Sequence, residues 1–348
     1  MTTTRRSFVA LSVSTATALT LAACSGSNDA ASGTSPTNVA ASAPGTQGAT
    51  QASAAPISAT IATNTGDVKV TLPAKRPVCL DNRSFEILAT WGVSLVAAPK
   101  PLIPATVTAF NGEDVANIGN HREPNLEALV AAEPDVIISG QRFSQFNKDI
   151  ATLTQGTPLI DLEPRDGENF TSELVRHVTG LGEVFSKQDE AKAIVDAFHK
   201  ATDKAKAAYD GTSKVMTVNV SGGEIGYIAP HVGRTFGPVF DMLGLKPALE
   251  VAGATNDHEG DDISVEAIAE SNPDWIFVLD RDAAIKSAKD SYTPAEQVIA
   301  GNAALQNVKA VSSGHIVYAP ADTYTNESIL TYTEIMDSIA AAFSGAKG

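Results

Sequence analysis

Residues 123–142, EPNLEALVAAEPDVIISGQR, align without a gap on residues 262–281, DISVEAIAESNPDWIFVLDR. Six of the twenty aligned positions are identical: Glu127 and Glu266, Ala128 and Ala267, Pro134 and Pro273, Asp135 and Asp274, Ile137 and Ile276, Arg142 and Arg281. Five of the others exchange one apolar side chain for another: Leu126 and Val265, Leu129 and Ile268, Val130 and Ala269, Val136 and Trp275, Ile138 and Phe277. Each copy reads as a helix, a Pro-Asp turn and a buried strand. The copies stand 139 positions apart, far beyond a solenoid repeat of roughly 20–50 residues, so they mark two lobes built on one plan. Alternation of helix and strand predicts parallel sheets, whose ligands sit outside the carboxyl ends of the strands. Arg142 and Arg281, at those ends, would meet across the cleft between the lobes.

Working outward, strands are expected at 59–62, 68–72, 77–80 and 95–98, with a helix from Ser84 to Trp91 stopped by Gly92. A strand at 158–162 closes the first lobe. Glu168 to about Tyr209 reads as one uninterrupted helix, its Ala-rich second half ended by Gly211, long enough to join the lobes. The second lobe restarts with a strand at 215–220, then a Gly-rich loop, a helix from Phe236 to Leu243, the second repeat, a strand at 316–319 and a last helix from Glu327. The fold class is therefore α/β: two α/β lobes with central sheets, one long connecting helix, and a ligand cleft between them. The expected division is an N-terminal lobe at 57–166, a connecting segment at 167–211 and a C-terminal lobe at 212–348.

The first 23 residues stand apart. Arg5 and Arg6 precede FVALSVSTATALTLAA, a run too short and too rich in Thr and Ser to span a bilayer, and it reads as a signal peptide. It closes on Leu21-Ala22-Ala23-Cys24, which resembles the lipobox of bacterial lipoproteins and implies that Cys24 is lipidated and becomes the mature N-terminus. Thr4-Arg5-Arg6-Ser7-Phe8-Val9 also resembles a twin-arginine export signal, although general export needs positive residues there too. Residues 25–56 are small or polar with one charge and cannot bury enough apolar surface to order themselves. They read as a tether with an end-to-end distance of roughly 30 Å. Cys79, within Val78-Cys79-Leu80, reads as a buried strand cysteine with no disulfide partner and no nucleophilic role. The formal charge of −15 argues against nucleic acid as a partner. A monomer is expected.

The paired helix, Pro-Asp and strand units, the long connection and the lipobox resemble the bilobal substrate-binding proteins that deliver iron-siderophores, haem or vitamin B12 to ATP-binding-cassette importers. The resemblance covers residue 57 to the end. Within that family the chain is most similar to the branch that binds catecholate siderophores of the petrobactin type, whose second lobe carries Gly-Ser-Arg-Phe-Gly followed by Asp-X-Leu-Gly-X-Lys-Pro-Ala. Here the stretches are Gly233-Arg234-Thr235-Phe236-Gly237 and Asp241-Met242-Leu243-Gly244-Leu245-Lys246-Pro247-Ala248. The Ser is missing and a Thr is inserted, which puts the presentation of Arg234 in question.

The resemblance implies a ferric siderophore as ligand, no intrinsic cofactor, an importer permease dimer as partner, and no enzymatic activity. A ferric tris-catecholate is a trianion, and guanidinium groups stay protonated and match its oxygens. Arg142, Arg234 and Arg281 are the expected ligand-binding arginines, with Arg83 behind them. A lone arginine is more often a surface ion-pair partner, and Asp280 and Asp282 flank Arg281. The resemblance further implies that His258 and Tyr324 complete the coordination of iron when the siderophore supplies too few oxygens. His231 is held in reserve, while His177, His199 and His315 fall on the connection or beside a strand. Glu127 and Glu266 follow the N-caps Asn125 and Ser264 and suit the positive end of a helix. In the family such glutamates dock into arginine pockets of the permease, one per lobe.

Two other functions are compatible with an exported chain. Haem or a corrinoid would not call for three arginines. A cell-surface hydrolase would need a nucleophile, and the sequence holds no Gly-X-Ser-X-Gly elbow and no His-Glu-X-X-His.

Overall fold

The computed structural model describes residues 57–286 and 292–346. Cys24, the signal segment and the tether lie outside the described residues. β1 (Ile57–Thr63) and β2 (Gly66–Leu72) form an antiparallel hairpin, whose turn is fastened to the first lobe where Asn64 N donates to Asp161 O at 2.8 Å. The first lobe's sheet holds β3 (Pro77–Cys79), β4 (Ala97–Ala98), β5 (Ala116–Asn117), β6 (Val136–Ser139) and β7 (Leu159–Asp161), in the order β5-β4-β3-β6-β7 and parallel throughout. In the second lobe β8 (Lys214–Ser221), β10 (Lys246–Pro247), β11 (Trp275–Asp280) and β12 (Ile316–Tyr318) run parallel in the order β10-β8-β11-β12. β9 (Glu224–Tyr227) pairs antiparallel with β8. The two repeats supply β6 and β11, each lying next to the strand that opens its lobe.

The repeated Pro-Asp turn has a specific task. The carboxylate of Asp135 accepts from Lys75 N at 2.6 Å and Arg76 N at 2.9 Å, just before β3. Asp274 accepts from Lys214 N at 2.7 Å, the first residue of β8. Each aspartate thus satisfies backbone donors that precede or open the neighbouring strand, and fixes the register of the two strands that lead to the cleft.

The expected single connecting helix is two. One helix covers Phe170–Phe185 and a second Gln188–Ala208. Ser186 has φ +54, and Lys187 N donates back to Gly182 O at 2.7 Å, the 6→1 bond of a left-handed helix stop. Gly182 lets the second helix fold close: a Cβ there would stand 2.8 Å from the Cβ of Ala191. The last helix also starts later than its apolar pattern suggests. Thr323–Asn326 form one short turn, Glu327 breaks it with φ +50, and the long helix Ile329–Gly345 is capped by Ser328, whose Oγ accepts from Thr331 N at 3.2 Å.

One apolar core runs from Phe85 and Ile138 in the first lobe, through Leu181 and Phe198 of the connecting helices and Ile335 of the last helix, to Phe236 and Phe277 in the second. Separate clusters fill the outer face of each sheet. Cys79 is buried and free, and burial pushes its thiol well above the ordinary range, which leaves it inert. Among the described residues no helix is long and apolar enough to cross a membrane.

Candidate ligand-binding site

The carboxyl ends of β3, β6, β8 and β11 and the turn at 323–326 bring four arginines together. Arg142 lies in a 3-10 turn, Gln141–Phe146, directly after β6. Gly140, which leads into it, passes so close to Asp81 that a Cβ would stand 3.0 Å from the carboxylate. Glu163 fastens the turn by accepting from Gln141 N at 2.9 Å and Ser144 Oγ at 2.8 Å, and burial raises the pKa of its carboxyl. Arg281 opens the helix after β11, and its Nη1 donates to Ser221 Oγ, the end of neighbouring β8, at 2.8 Å. Arg234 comes from the glycine loop. A Cβ on Gly233 would stand 2.5 Å from Ala229 N, and one on Gly237 would stand 3.0 Å from Ala229 O, so only glycine lets this loop pack on itself.

These three guanidinium groups face a single ring. The Cζ atoms of Arg234, Arg281 and Arg142 lie 4.3, 5.0 and 5.6 Å from the ring centroid of Tyr324, within cation-π distance. Tyr324 itself is buried. The inserted Thr235 is buried with φ +64, a strained region for a β-branched residue. It is held there by two contacts: its Oγ1 donates to Glu327 at 2.5 Å and its carbonyl accepts from the Tyr332 hydroxyl at 3.0 Å.

Glu327 is the counter-charge that the sequence did not single out. It is buried and accepts from Arg234 Nε at 3.0 Å and Nη2 at 2.8 Å, with Arg83 Nη2 at 3.7 Å. Burial works to raise its pKa, and Arg234 and Arg83 outweigh that and hold it ionised below the usual range. For Arg234 burial works the other way, and the Glu327 charge and hydrogen bonds leave its pKa raised. Arg142 has no such compensation. Burial pulls its pKa down, Arg234 adds to the fall, and Tyr324 and Glu327 only partly oppose it. Adjacent to this cluster lies a cavity of about 540 Å³, lined by Arg83, Arg142 and Glu163 of the first lobe and Arg234, Thr235 and Glu327 of the second.

The other expected residues are placed as follows. His258 is half exposed on the loop after β9, and its carbonyl accepts from Asn219 Nδ2 at 3.1 Å. Its Nε2 lies 3.9 Å from Glu259, which lies 3.4 Å from Arg281. The loop is seated by Gly226 and Gly260: a Cβ on Gly226 would stand 2.3 Å from Glu259 O. His231 bonds Asp241 at 2.7 Å at the cavity rim, and His315 stacks on Trp275 at 4.3 Å, at the end of β11 remote from Arg281. Glu127 and Glu266 are exposed in the first turns of helices Leu126–Ala131 and Val265–Ser271, behind Asn125, which accepts from Ala128 N at 2.9 Å, and Ser264, which accepts from Ala267 N at 3.2 Å. Among the described residues no three His, Cys, Asp or Glu side chains form a metal-holding group.

One grouping has the residue types of a hydrolytic triad. Asp81, Ser84 and His177 are fully buried, with Asp81 Oδ2 2.9 Å and Ser84 Oγ 3.2 Å from the same ring nitrogen, His177 Nε2. A triad needs acid and nucleophile on opposite nitrogens and the nucleophile open to substrate, so this cluster is structural. It caps the helix Asn82–Thr90 through Asp81 and so supports Arg83.

Two sheets whose parallel strands aim their carboxyl ends at one arginine-lined cavity define the bilobal ligand-binding class. Residues 78–323 match the periplasmic binding protein family, and the chain belongs to it. The petrobactin-binding protein YclQ of Bacillus subtilis is 27% identical over 74% of this chain and 78% of its own length. The ferric-anguibactin-binding protein FatB of Vibrio anguillarum is 26% identical over 80% of this chain and 86% of its own. The crystal structure of YclQ superimposes with a TM-score of 0.71 at 23% identity, covering 82% of this chain and 99% of that one. BauB, bound to two molecules of acinetobactin and ferric iron, also superimposes at 0.71, with 22% identity and coverage of 82% and 99%. These likenesses confirm the expected fold.

Proposed function

We propose that this protein captures a ferric catecholate siderophore outside the cytoplasm and delivers it to an ATP-binding-cassette importer, without chemistry of its own. The observation that carries this reading is the convergence of Arg142, Arg234 and Arg281 on Tyr324. Glu327 is bonded to Arg234, whereas among the described residues no carboxylate lies within ion-pair distance of Arg142, which leaves that guanidinium suited to an anionic ligand. Relatives named for petrobactin and ferric anguibactin support the ligand class. In this reading Cys24 carries the lipid anchor, residues 24–56 are the tether, and lobes 57–166 and 212–348 are joined by 167–211. The core shared by both lobes favours a small hinge motion. His258 and Tyr324 lend a nitrogen and a phenolate oxygen to iron when the ligand is a bis-catecholate, the metal displacing the phenol proton. Glu127 and Glu266 dock to the permease.

Titration with the iron(III) complexes of a bis-catecholate, a hexadentate tris-catecholate and a neutral trihydroxamate, followed by quenching of Trp91 and Trp275, tests the reading. Both catecholates are expected to saturate, the trihydroxamate to bind at least tenfold more weakly, and the bis-catecholate to gain a tyrosinate-to-iron band that Tyr324→Phe removes. Equal affinity for the neutral complex would defeat the charge argument. In cells, Glu127→Ala with Glu266→Ala is expected to stop uptake at unchanged affinity, and Cys24→Ala to release the protein from the membrane. Lost affinity in the first, or retained attachment in the second, would contradict the assigned roles.

A further inference from the structure

The site's arginines differ in what neutralises them. Arg234 shares the buried Glu327, fixed further by Thr235. Arg281 has a different neighbour: Oε1 of Glu259 lies 3.4 Å from its Nη1, and that same oxygen lies 3.9 Å from His258 Nε2. One carboxylate oxygen therefore stands between two groups assigned to the ligand. The side chain of Glu259 is 58% exposed, while that of Arg281 is 14% exposed, so the acid reaches in from solvent to a largely buried cation. The buried Asp282 is 4.0 Å from the same nitrogen, but its Oδ2 accepts from Gly222 N at 2.7 Å and belongs to the framework.

The backbone under Glu259 is held in place. Tyr227 N donates to Asp261 O at 3.0 Å and Asp261 N to Tyr227 O at 2.8 Å. Asn219 holds the His258 carbonyl, and Asp257 Oδ1 accepts from Glu259 N at 2.8 Å. Gly260, with φ +86, passes 2.9 Å (measured from an added Cβ) from the Gly226 backbone. A side chain on such a loop can turn away into water while the loop stays put, and what it gives up is an exposed ion pair of small net worth.

We infer that Glu259 is an internal stand-in for an anionic oxygen of the ligand: it neutralises Arg281 in the empty protein and is displaced when the ligand's oxygens arrive. It limits affinity for an anionic ligand, because binding must break the Glu259–Arg281 pair and because a carboxylate left nearby repels a trianion. This rests on the reading of the cleft as a ferric catecholate site.

The test is equilibrium and stopped-flow binding of the ferric hexadentate tris-catecholate to the wild type, Glu259→Gln, Glu259→Ala and, as a charge control, Glu270→Gln. Glu270 is exposed on the helix Val265–Ser271, away from the loop. Both Glu259 variants are expected to bind about two- to fivefold more tightly, the scale of an exposed ion pair, with Glu270→Gln unchanged. Weaker binding by the Glu259 variants would mean that the carboxylate contacts the ligand or orients Arg281, and unchanged binding would mean it does not compete; either overturns the inference while the catecholate reading stands. If the wild type and all variants fail to bind, both fall together.

Discussion

The two lobes carry the same helix, Pro-Asp turn and strand, and both follow the strand with an arginine, yet the surroundings of that arginine differ. In the first lobe Arg142 sits on a 3-10 turn tied down by Glu163, and burial depresses its pKa. In the second lobe Arg281 begins a helix, donates to Ser221 and has Glu259 and Asp282 within ion-pair range. The backbone plan sets where the charge stands. Neighbouring loops, which the repeat does not include, set how far it is neutralised. With no carboxylate within ion-pair distance among the described residues, the first lobe's arginine is expected to gain more from an anionic ligand.

The largest expected effect breaks the link between the lobes. Glu327→Ala removes the acid that serves Arg234 of the second lobe and Arg83 of the first, leaving two largely buried guanidinium groups without their carboxylate. A loss of about 3–5 kcal/mol in unfolding free energy is expected, read as a lower denaturant midpoint. A loss under about 1 kcal/mol would show that the arginines find other partners or water.

The arginines themselves sharpen the comparison. Arg142→Ala and Arg281→Ala are each expected to weaken a ferric tris-catecholate by roughly ten- to a hundredfold, the worth of a charge-assisted contact, with Arg142→Ala the larger loss. Their effects on the empty protein should diverge. Arg142→Ala should leave the thermal midpoint unchanged or raised, and Arg281→Ala should lower it. A falling midpoint in Arg142→Ala would show that Arg142 supports the fold.

The smallest effect concerns the turns. Asp135 is exposed, whereas Asp274 is half-buried and also meets Lys309 at 2.6 Å. Burial works to raise the pKa of Asp274, and Lys309 and the Lys214 N–H overcome it and lower it. Asp274→Ala is expected to cost about 1–2 kcal/mol and Asp135→Ala about 0.5–1 kcal/mol, measured by denaturant unfolding. The reverse order would mean that the first lobe depends more on its turn than burial indicates.

The repeat was enough to place β6 and β11, the Pro-Asp turns, and Arg142 and Arg281 after their strands, because period and turn chemistry are local properties of the chain. The pairing of Asn125 and Ser264 with their helices was legible for the same reason. The break at Ser186 was harder to read, since an amphipathic pattern continues across it; the signal was Gly182, whose missing side chain lets the next helix pack close. Glu327 was read as the first residue of a helix, though Ser328 offered the better cap.

What the amino-acid sequence determined by itself was the class of fold, the two-lobe plan and the identity of the charged residues at the strand ends. Only the tertiary structure decided that Arg142, Arg234 and Arg281 face one tyrosine ring, that Glu327 compensates Arg234 and Arg83, and that Glu259 reaches Arg281. Those outcomes depend on residues as far apart as 83 and 327, and the strength of a charge is set by the burial and partners that such distant contacts create.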